Sequence, residues 1–341
     1  MARNRRPSPQ DAMLDLIGAY WLSQLVLVAA RLGLANLLAK GPRTAEALAK
    51  ECGADAGHLR RVLRALASQG VFAEDARGRF KLTALAQTLR SDRPGSLRDY
   101  ALMLCDDYNW QAWGALTQGV QHGGVPFEKV FGQPFFEYLR QHPEKEAAFA
   151  ASMASTSSVQ NEAVARAYPF DRLARLVDVG GAHGHLLATI LRRHKKLRGV
   201  LYDQTQVVAG APASGFVTAP GLAERCEIVG GDFFEAVPAG ADGYLMKYIL
   251  HDWDDARCVR LLGLCRDAMA ADGRVLVAEH VIPRGNKPYR GKLLDVMMLV
   301  VVTGRERTRE EFRDLFARAG LRLRRVYATA CPLFVLEGVR T

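Results

Sequence analysis

The sequence predicts an α/β protein with a Rossmann-like, doubly wound sheet and an N-terminal, mostly helical winged-helix module. Three observations predict this fold. From about residue 172 onward, strand patterns alternate with helix patterns, which is typical of a parallel sheet covered by helices. The first hundred residues contain short helix patterns followed by a hairpin pattern. A glycine-rich stretch at 178–184 joins a strand to a helix, as in open sheets that bind a ligand at their strand ends.

Length and composition describe a protein with a sizeable core. A chain of 341 residues suggests one large or two ordinary domains, and 49% of its residues are hydrophobic. No run of about 18 uninterrupted apolar residues occurs, so we expect no membrane partner. The apolar stretch at 22–38 is broken by polar residues and predicts a buried helix instead.

The cysteines and the basic charge limit the possible partners. No CxxC pair occurs, which argues against a metal site and favours a reducing cytoplasm. The net charge of +10 indicates either a nucleic-acid partner or a solvated surface with a basic tail at residues 1–10. Because the arginines are dispersed, we favour the second interpretation and expect no nucleic-acid partner.

The N-terminal module is predicted over residues 1–100. Residues 44–53 predict a helix that Gly53 ends, and residues 58–70 predict a second helix with an apolar stripe. The stretch VFAED, a turn and the stretch RFKLT then predict a two-stranded wing. Helix, helix and wing together are typical of a winged-helix module.

Residues 101–170 are predicted to be connecting helices. Pro134 suits a first helical turn, since the missing N–H of proline is tolerated there. Pro143 interrupts this pattern, and a further helix is predicted to begin after it.

Residues 171–341 are predicted to form the sheet. The main helices are expected at 185–194, 256–269 and 308–320, the last with a capping box from Thr308 to Glu311. The terminal pair of strands suggests an antiparallel strand at the end of the sheet order. The expected strands are 175–179, 198–203, 226–229, 242–247, 274–280, 321–328 and 333–339.

Two chemical signals lie at the predicted carboxyl ends of the first two strands. The loop at 178–184 contains Gly180, whose lack of a side chain lets a ligand approach the backbone. Asp203 ends the next strand, where a carboxylate can accept hydrogen bonds from both hydroxyls of a ribose. A tight turn with a helix-capping charge, or an NAD site, are the alternatives, although the loop is not GxGxxG.

A third signal follows the third strand. Asp232 is placed to accept a hydrogen bond from an adenine amino group, and Phe233 is placed to pack on its ring. Phe233 would otherwise be an ordinary core residue. Because NAD enzymes do not need this carboxylate, the pair favours an adenosyl sulfonium cofactor.

A fourth signal is His251, just beyond a strand end on the expected ligand edge of the sheet. Histidine has a pKa near 6.5 and is a natural general base at neutral pH. Most single histidines are structural or solvent-exposed. Here carboxylates surround the residue in the stretch LMKYILHDWDD, which favours the catalytic interpretation.

Four stretches resemble the plant-type caffeate/hydroxyindole O-methyltransferases, which depend on S-adenosylmethionine, and their bacterial relatives in aromatic natural-product pathways. They occur in that family's order and spacing, and the N-terminal module is similar to its dimerisation domain. The resemblance implies a homodimer, a small aromatic hydroxylated substrate and middle helices that contribute to its pocket. The four stretches are LVDVGGAHG, GDFFEAVPAGADGYLMKYILHDWDD, VLVAEHVIP and LLDVMMLVVVTGRERTREEF.

The resemblance also implies a role for individual residues. His251 matches the catalytic base, and Glu279 and Glu306 match two carboxylates that flank and orient it. Met153 and Met298 match methionines that line an aromatic substrate, although core packing explains them equally well. The cofactor-binding positions of the family match Gly180, Asp203, Asp232, Phe233 and Lys247.

Two departures from the family pattern stand out. Ala182 replaces a third consecutive glycine, which affects the closest approach of the backbone to the cofactor. Gln204 and Thr205 follow Asp203 where the family has Leu-Pro, so the chain is expected to leave this strand differently.

The residues together predict an S-adenosylmethionine-dependent O-methyltransferase. Because a phenol with a pKa near 10 is a far weaker nucleophile than its phenolate, a base assists the transfer. Three alternatives remain at this point: a winged-helix regulator that senses a small molecule, an NAD-dependent oxidoreductase, and a relative that keeps the cofactor for other chemistry. Arg60, Arg61 and Arg64 on the second helix favour the regulator, and the set of base and carboxylates argues against it.

Overall fold

The computed structural model describes residues 8–341, so the first seven residues of the predicted 1–100 domain and most of the basic tail lie outside the described residues. The chain divides into two units. One runs to Trp110 and includes Leu139–Thr156, and the other comprises Gln111–Tyr138 and Ser157–Thr341.

The first unit contains the predicted helix–helix–hairpin arrangement. The side chains of Thr44 and Asp55 cap two helices by accepting the third backbone N–H group that follows each of them. The two short strands pair antiparallel. In chain order the elements are α1 (Pro9–Arg31), α2 (Leu34–Leu38), α3 (Ala45–Cys52), α4 (Ala56–Ser68), β1 (Phe72–Glu74), β2 (Phe80–Leu82), α5 (Ala84–Gln87) and α6 (Arg98–Leu104).

The apolar stretch at 22–38, predicted as one buried helix, is divided between the end of α1 and α2, and most of its apolar side chains are buried or half-buried. Helix α1 extends further towards the N-terminus. It begins at Pro9 after a capping box from Ser8 to Asp11, earlier than the apolar pattern indicates. Its large apolar side chains are mostly exposed, with Leu16 at 71% and Trp21 at 61%. Within residues 8–341, α1 is the one helix that is long and apolar enough to cross a membrane. The core helix of a globular protein meets the same two criteria.

Helices connect the two units and precede the sheet. Pro134 precedes α10 and Pro143 begins α11, as the sequence predicts. Three of these helices cross the boundary between the units. The helices are α7 (Asp107–Gly114), α8 (Leu116–His122), α9 (Pro126–Phe131), α10 (Phe135–Gln141) and α11 (Pro143–Ala167).

The second unit is built on the predicted strand–helix alternation. Single-turn 3-10 helices lie at Phe170–Arg172, Ala223–Arg225 and Leu250–Asp252. The strands are β3 (Arg175–Val179), β4 (Arg198–Asp203), β5 (Cys226–Gly230), β6 (Gly243–Lys247), β7 (Arg274–Ile282), β8 (Arg307–Thr308), β9 (Leu321–Ala328) and β10 (Leu333–Arg340). The helices are α12 (His185–Arg193), α13 (Thr205–Val208), α14 (Ala211–Ser214), α15 (Asp255–Ala268), α16 (Arg290–Val301) and α17 (Arg309–Arg318).

The sheet has the order β5-β4-β3-β6-β7-β10-β9, and β8 pairs with the end of β7. The strands from β5 to β7 are parallel, whereas β10 is antiparallel to both of its neighbours. The predicted antiparallel strand is therefore present, but it lies between β7 and the edge strand β9 rather than at the end of the order. The chain runs outward from β3 to β5 and then returns to β6. In such sheets the ligand lies beyond the carboxyl ends of the strands at this reversal, here between β3 and β6.

Both faces of the sheet are buried at its central strands, which is why β3, β4, β6 and β7 are mostly apolar. Leu176 and Leu201 pack with residues of α12 on one face. Val177 and Val200 on the same two strands pack with residues of α15 and α17 on the other. The predicted doubly wound arrangement is therefore confirmed.

Candidate active site

The glycine loop follows β3 and packs tightly against its neighbours. Gly180 has a φ of 70°, and a Cβ on it would overlap the side chain of Ile249. A Cβ on Gly181 would lie 2.6 Å from Leu201 and 2.8 Å from the Asp178 carboxylate. Only glycine fits at these two positions, so the loop exposes its backbone at the reversal of the sheet.

Asp203 ends β4 beside this loop. Its Oδ2 accepts the N–H of Ala182 at 2.8 Å, and its Oδ1 accepts the N–H of Gln204 at 2.7 Å. Burial raises the pKa of Asp203, and these two hydrogen bonds act against the shift. Each carboxylate oxygen keeps a second lone pair with which to accept a ligand hydroxyl.

Asp232 and Phe233 lie just beyond β5. The exposed Asp232 accepts the N–H of Phe234 through Oδ1 at 2.7 Å. The ring of Phe233 lies 4.8 Å from that of Phe234 and 6.3 Å from that of Trp253, centroid to centroid. A Cβ on Gly180 would contact Phe233 at 3.8 Å, so this aromatic surface adjoins the glycine loop.

A buried carboxylate and a buried ammonium lie beneath the loop. Burial raises the pKa of Asp178 to about 7 and lowers that of Lys247 to about 8, while each charge partly offsets the shift of the other. The Lys247 ammonium donates to Asn161 at 2.6 Å and to Ser157 at 3.0 Å. Oδ2 of Asp178 is buried without a hydrogen-bond partner in the described part of the chain, which leaves it free for a polar ligand group.

His251 lies in the 3-10 turn that follows β6, and its side chain is 10% exposed. Its Nδ1 lies 2.9 Å from Glu306 Oε1, and its Nε2 lies 3.4 Å from Asp252 Oδ1. Burial alone lowers the pKa of an imidazole, but the charges of Asp252, Glu306 and Glu279 outweigh it and raise the pKa of His251 to about 9. A carboxylate therefore lies beside each nitrogen of the imidazole, and the one beside Nδ1 is within hydrogen-bond distance.

Glu279 is buried in β7 and makes a different contact from the expected one. Its Oε1 accepts the backbone N–H groups of Ile249, Leu250 and His251 at 3.2, 2.7 and 3.2 Å. Glu279 thus holds the backbone of the turn, and Glu306 makes the hydrogen bond to the imidazole. Burial raises the pKa of Glu279 to about 7.

A hydrogen-bond chain runs beside the turn. Gln160 donates to the Tyr248 hydroxyl at 3.1 Å, which lies 3.3 Å from Nε2 of His280. Nδ1 of His280 lies 3.0 Å from the Tyr289 hydroxyl, which donates to the Pro332 carbonyl at 2.8 Å. Because the Tyr289 hydroxyl donates its only proton to the Pro332 carbonyl, His280 must carry its proton on Nδ1. Its Nε2 therefore accepts a hydrogen bond from the Tyr248 hydroxyl.

Tyr248 itself has a strained backbone. Its φ of 58° is unusual for a residue with a side chain, and its ring lies 5.0 Å from the His251 ring, centroid to centroid. Strained residues of this kind cluster at functional sites.

The two methionines lie in different units. Asp295 on α16 accepts the N–H of Glu306 at 2.9 Å, and Met298, three residues further on, shares that face of the helix. Met153 lies on α11 in the first unit and is 36% exposed.

The sequence reasoning missed the residues that act on the site from distant segments. Ser157 and Asn161 of α11 bind Lys247, and no local sequence motif indicates this contact. Tyr248 follows the predicted Lys247 directly, and Arg307 follows the predicted Glu306. These neighbouring positions are the one sequence signal that could have indicated Tyr248 and Arg307.

Two family models match the chain. The O-methyltransferase domain covers residues 113–322, and the O-methyltransferase dimerisation domain covers residues 14–92. The first match includes the glycine loop, the ends of the parallel strands and the turn at Leu250–Asp252, and the second includes most of α1.

Individual proteins match along most of their length. The phenazine O-methyltransferase PhzM of Lysobacter antibioticus is 43% identical over 95% of this chain and 94% of its own. The phenazine-1-carboxylate N-methyltransferase of Pseudomonas aeruginosa is 35% identical over 92% of both. The crystal structure of NcsB1, an O-methyltransferase from neocarzinostatin biosynthesis in complex with S-adenosylmethionine and 2-hydroxy-5-methyl naphthoic acid, has a TM-score of 0.80, 32% identity and coverage of 94% and 96%.

Proposed function

The chain belongs to the O-methyltransferase family, and from this premise we propose that it methylates a hydroxyl group of a small aromatic, phenol- or polyketide-like metabolite with His251 as the general base. The family acts on aromatic natural products, and its cofactor is S-adenosylmethionine. The observation that carries the proposal is the buried pair of His251 Nδ1 and Glu306 Oε1, 2.9 Å apart.

The residues at the strand ends fit the cofactor. The glycine loop exposes its backbone, Asp203 retains acceptor capacity for ribose hydroxyls, and Asp232 with Phe233 offers an acceptor and an aromatic face for adenine. The buried Lys247 and the unpaired oxygen of Asp178 offer charges of both signs for the amino-acid portion. When bound, S-adenosylmethionine supplies an activated methyl group.

The base turn prepares His251 to take a proton. Once the imidazole is neutral, with Nδ1–H donating to Glu306, the lone pair of Nε2 is directed away from that carboxylate and can accept the proton of a phenol. The imidazolium that forms is stabilised by Glu306 and Asp252. Glu279 keeps the backbone of the turn in place while the charge changes.

The remaining parts of the chain have proposed roles as well. We assign dimerisation to residues 1–100 and cofactor binding to residues 171–341. We assign part of the acceptor pocket, with Met153 and Met298, to the connecting helices at 101–170 and to α16. A cytoplasmic location is supported by the six cysteines, which are all free.

One specific observation favours an alternative acceptor, and another weakens the regulator interpretation. The N-methyltransferase relative shows that this family also includes enzymes that methylate nitrogen, and identification of the methylated atom by mass spectrometry and NMR would distinguish the two. The regulator interpretation rested on basic residues of α4. Arg60, one of them, lies 3.8 Å from Glu46 and 3.6 Å from Glu74, so its charge is partly neutralised within the chain.

The test is His251→Ala, assayed by single-turnover methyl transfer to a panel of phenols from phenol itself to nitrophenols. Transfer to weakly acidic phenols should slow by about 10²–10⁴-fold, the usual contribution of a general base. The deficit should shrink for nitrophenols that are already ionised at the assay pH, since these need no base.

Cofactor affinity in the same variant is the control. Calorimetry should give an unchanged affinity for S-adenosylmethionine, because the glycine loop, Asp203 and Asp232 are intact. Near-wild-type rates on phenol would show that His251 is not the base, and loss of cofactor binding would make it a structural residue.

A further inference from the structure

Arg307 is the largest completely buried side chain among the described residues, and its donors are all occupied within the protein. Nε and Nη2 donate to Asp255 Oδ1 at 3.2 and 2.9 Å. Nη1 donates to the carbonyls of Leu250 and Arg305 at 3.0 and 3.2 Å, and Nη2 also donates to the carbonyl of Trp253 at 3.0 Å. These bonds use the five N–H groups of a guanidinium, so none is left for a ligand.

Two of the acceptors bracket His251. Leu250 precedes the base, and Trp253 follows it by two residues, so one planar side chain holds the carbonyls on both sides of the turn. Glu279 holds the N–H groups of the same turn from β7. The backbone around the base is therefore bound by a buried cation at its carbonyls and by a buried carboxylate at its N–H groups.

The segment that carries Arg307 also touches this turn directly. A Cβ on Gly304 would overlap the backbone oxygen of His251 and the backbone of Asp252 and Trp253. Glu306, between Gly304 and Arg307, binds the imidazole. Residues 304–307 thus fix the turn through its backbone and its side chain at once.

We propose that Arg307 is a positioning residue for the general base, which acts on the reaction only through the turn that carries His251. This rests on the proposed role of His251. A lysine has three donors on a single point and cannot reproduce the fork that spans Leu250, Trp253 and Asp255. In Arg307→Lys the turn loses at least one of its two carbonyl anchors, and the direction of the imidazole is no longer fixed.

The expected result is a loss confined to proton removal. Arg307→Lys should lower the single-turnover rate on phenol by about 10–100-fold, part of the contribution of a general base. The affinity for S-adenosylmethionine should stay within about twofold of wild type, because misplacing the base leaves uniform binding unchanged. The deficit should shrink for ionised nitrophenols, as for His251→Ala.

The double variant His251→Ala/Arg307→Lys distinguishes positioning from a general structural role. If Arg307 acts through the base, its substitution should cost nothing further once the base is gone, so the double variant should match His251→Ala within about twofold. Arg318→Lys is the matched control. Arg318 also pairs with Asp255, at 3.5 Å, but makes no hydrogen bond to the turn, and its substitution should leave the rate unchanged.

Several outcomes would overturn the proposal. A full additional loss in the double variant, or an equal deficit on ionised and neutral phenols, would show that Arg307 acts independently of the base. If Arg307→Lys and the donor-free Arg307→Met both fail to fold, Arg307 serves stability rather than the base. If His251→Ala itself transfers to phenol at the wild-type rate, the proposed function fails first, and the failure is visible in that single variant.

Discussion

At the scale of single residues, the protonation of His251 is the property with the clearest chemical consequence. Its imidazole lies among three carboxylates, and in the ligand-free protein its pKa is raised to about 9. An imidazole with this pKa is mostly protonated at neutral pH. It must lose that proton before it can act as a base.

We therefore expect methyl transfer to weakly acidic phenols to speed up as the pH rises from 7 towards 9, following deprotonation of His251. The measurement is the pH profile of the acceptor kcat/KM, with phenol and with a nitrophenol. The nitrophenol profile should be flatter, because its own ionisation replaces the base. A phenol profile that levels off near pH 6.5 would show that the carboxylates do not raise the pKa of His251.

The same pKa shift predicts the sign of a stability change. A histidine whose pKa is raised by folding stabilises the folded state fully below its unfolded pKa of about 6.5, and this stabilisation is lost as the pH rises through about 9. His251→Gln should remove the pH dependence that His251 contributes. Comparison of the two thermal unfolding curves from pH 6 to 10 is the check, and parallel behaviour of the two proteins would contradict it.

What could be predicted of the site from the sequence depends on how local each contact is. His251, Asp203 and Asp232 each follow a strand that the apolar pattern of the sequence predicts. In the structure all three lie at or just beyond strand ends. The hydrogen bonds of Glu279 to three backbone groups could not be predicted, because they depend on the register between β6 and β7. Ser157 and Asn161, the partners of Lys247, lie on α11, where no sequence motif marks them. Only the burial and the distances in the structure identify them.

At the scale of elements, the glycine loop shows how the departure at Ala182 is accommodated. Ala182 has a φ of 49°, in the left-handed region that glycine adopts readily, and its N–H binds Asp203. The three positions of the loop where a Cβ would overlap its neighbours, Gly180, Gly181 and Gly184, are all glycine. The alanine therefore keeps the shape of the loop at the expense of local strain.

Ala182→Gly should stabilise the second unit by up to about 1 kcal/mol, since relief of the left-handed strain exceeds the entropy that glycine adds to the unfolded chain. Chemical unfolding measures the change. Ala317→Gly, at an exposed position of α17, is the control and should destabilise by about 0.5–1 kcal/mol. Equal destabilisation by both substitutions would show that Ala182 is not strained.

The boundaries of most elements in the second unit agree with their predicted ranges, because apolar strands and capped helices carry local signals. The predicted capping box at Thr308 and Glu311 is present at the start of α17. Helix α1 was predicted less well. Its N-terminal half, at 9–21, lies before the apolar stretch predicted to be buried at 22–38 and is mostly exposed, whereas most of that stretch is buried or half-buried.

At the scale of the whole molecule, the exposed apolar row on α1 predicts a partner. Met13, Leu16, Ile17 and Tyr20 recur at helical spacing and are each more than half exposed. The family model for dimerisation covers residues 14–92, which include most of this helix. These observations support a homodimer in which the row is buried against the partner.

Ile17→Glu should weaken or dissociate the dimer, because a charge in a buried apolar interface has no compensating partner. Light scattering at micromolar concentration should report a dimer for the wild-type protein and a smaller species for the variant. Gln69→Glu adds the same charge at an exposed position of the first unit and should leave the dimer intact. A monomeric wild-type protein, or flotation of the wild-type protein with lipid vesicles, would contradict the dimer and point to a membrane surface.

The hydrogen-bond chain from Gln160 to Pro332 has a direction. Every donor in it points toward Pro332, so the dipoles of an amide, two phenols and an imidazole add along one path. Its last acceptor is a carbonyl oxygen, which has no proton to return, so the order cannot reverse. These neutral groups thus form a permanent dipole beside the turn that carries His251, with its negative end at Gln160 and its positive end at Pro332. The dipole adds no net charge to the site at any pH where His280 stays neutral.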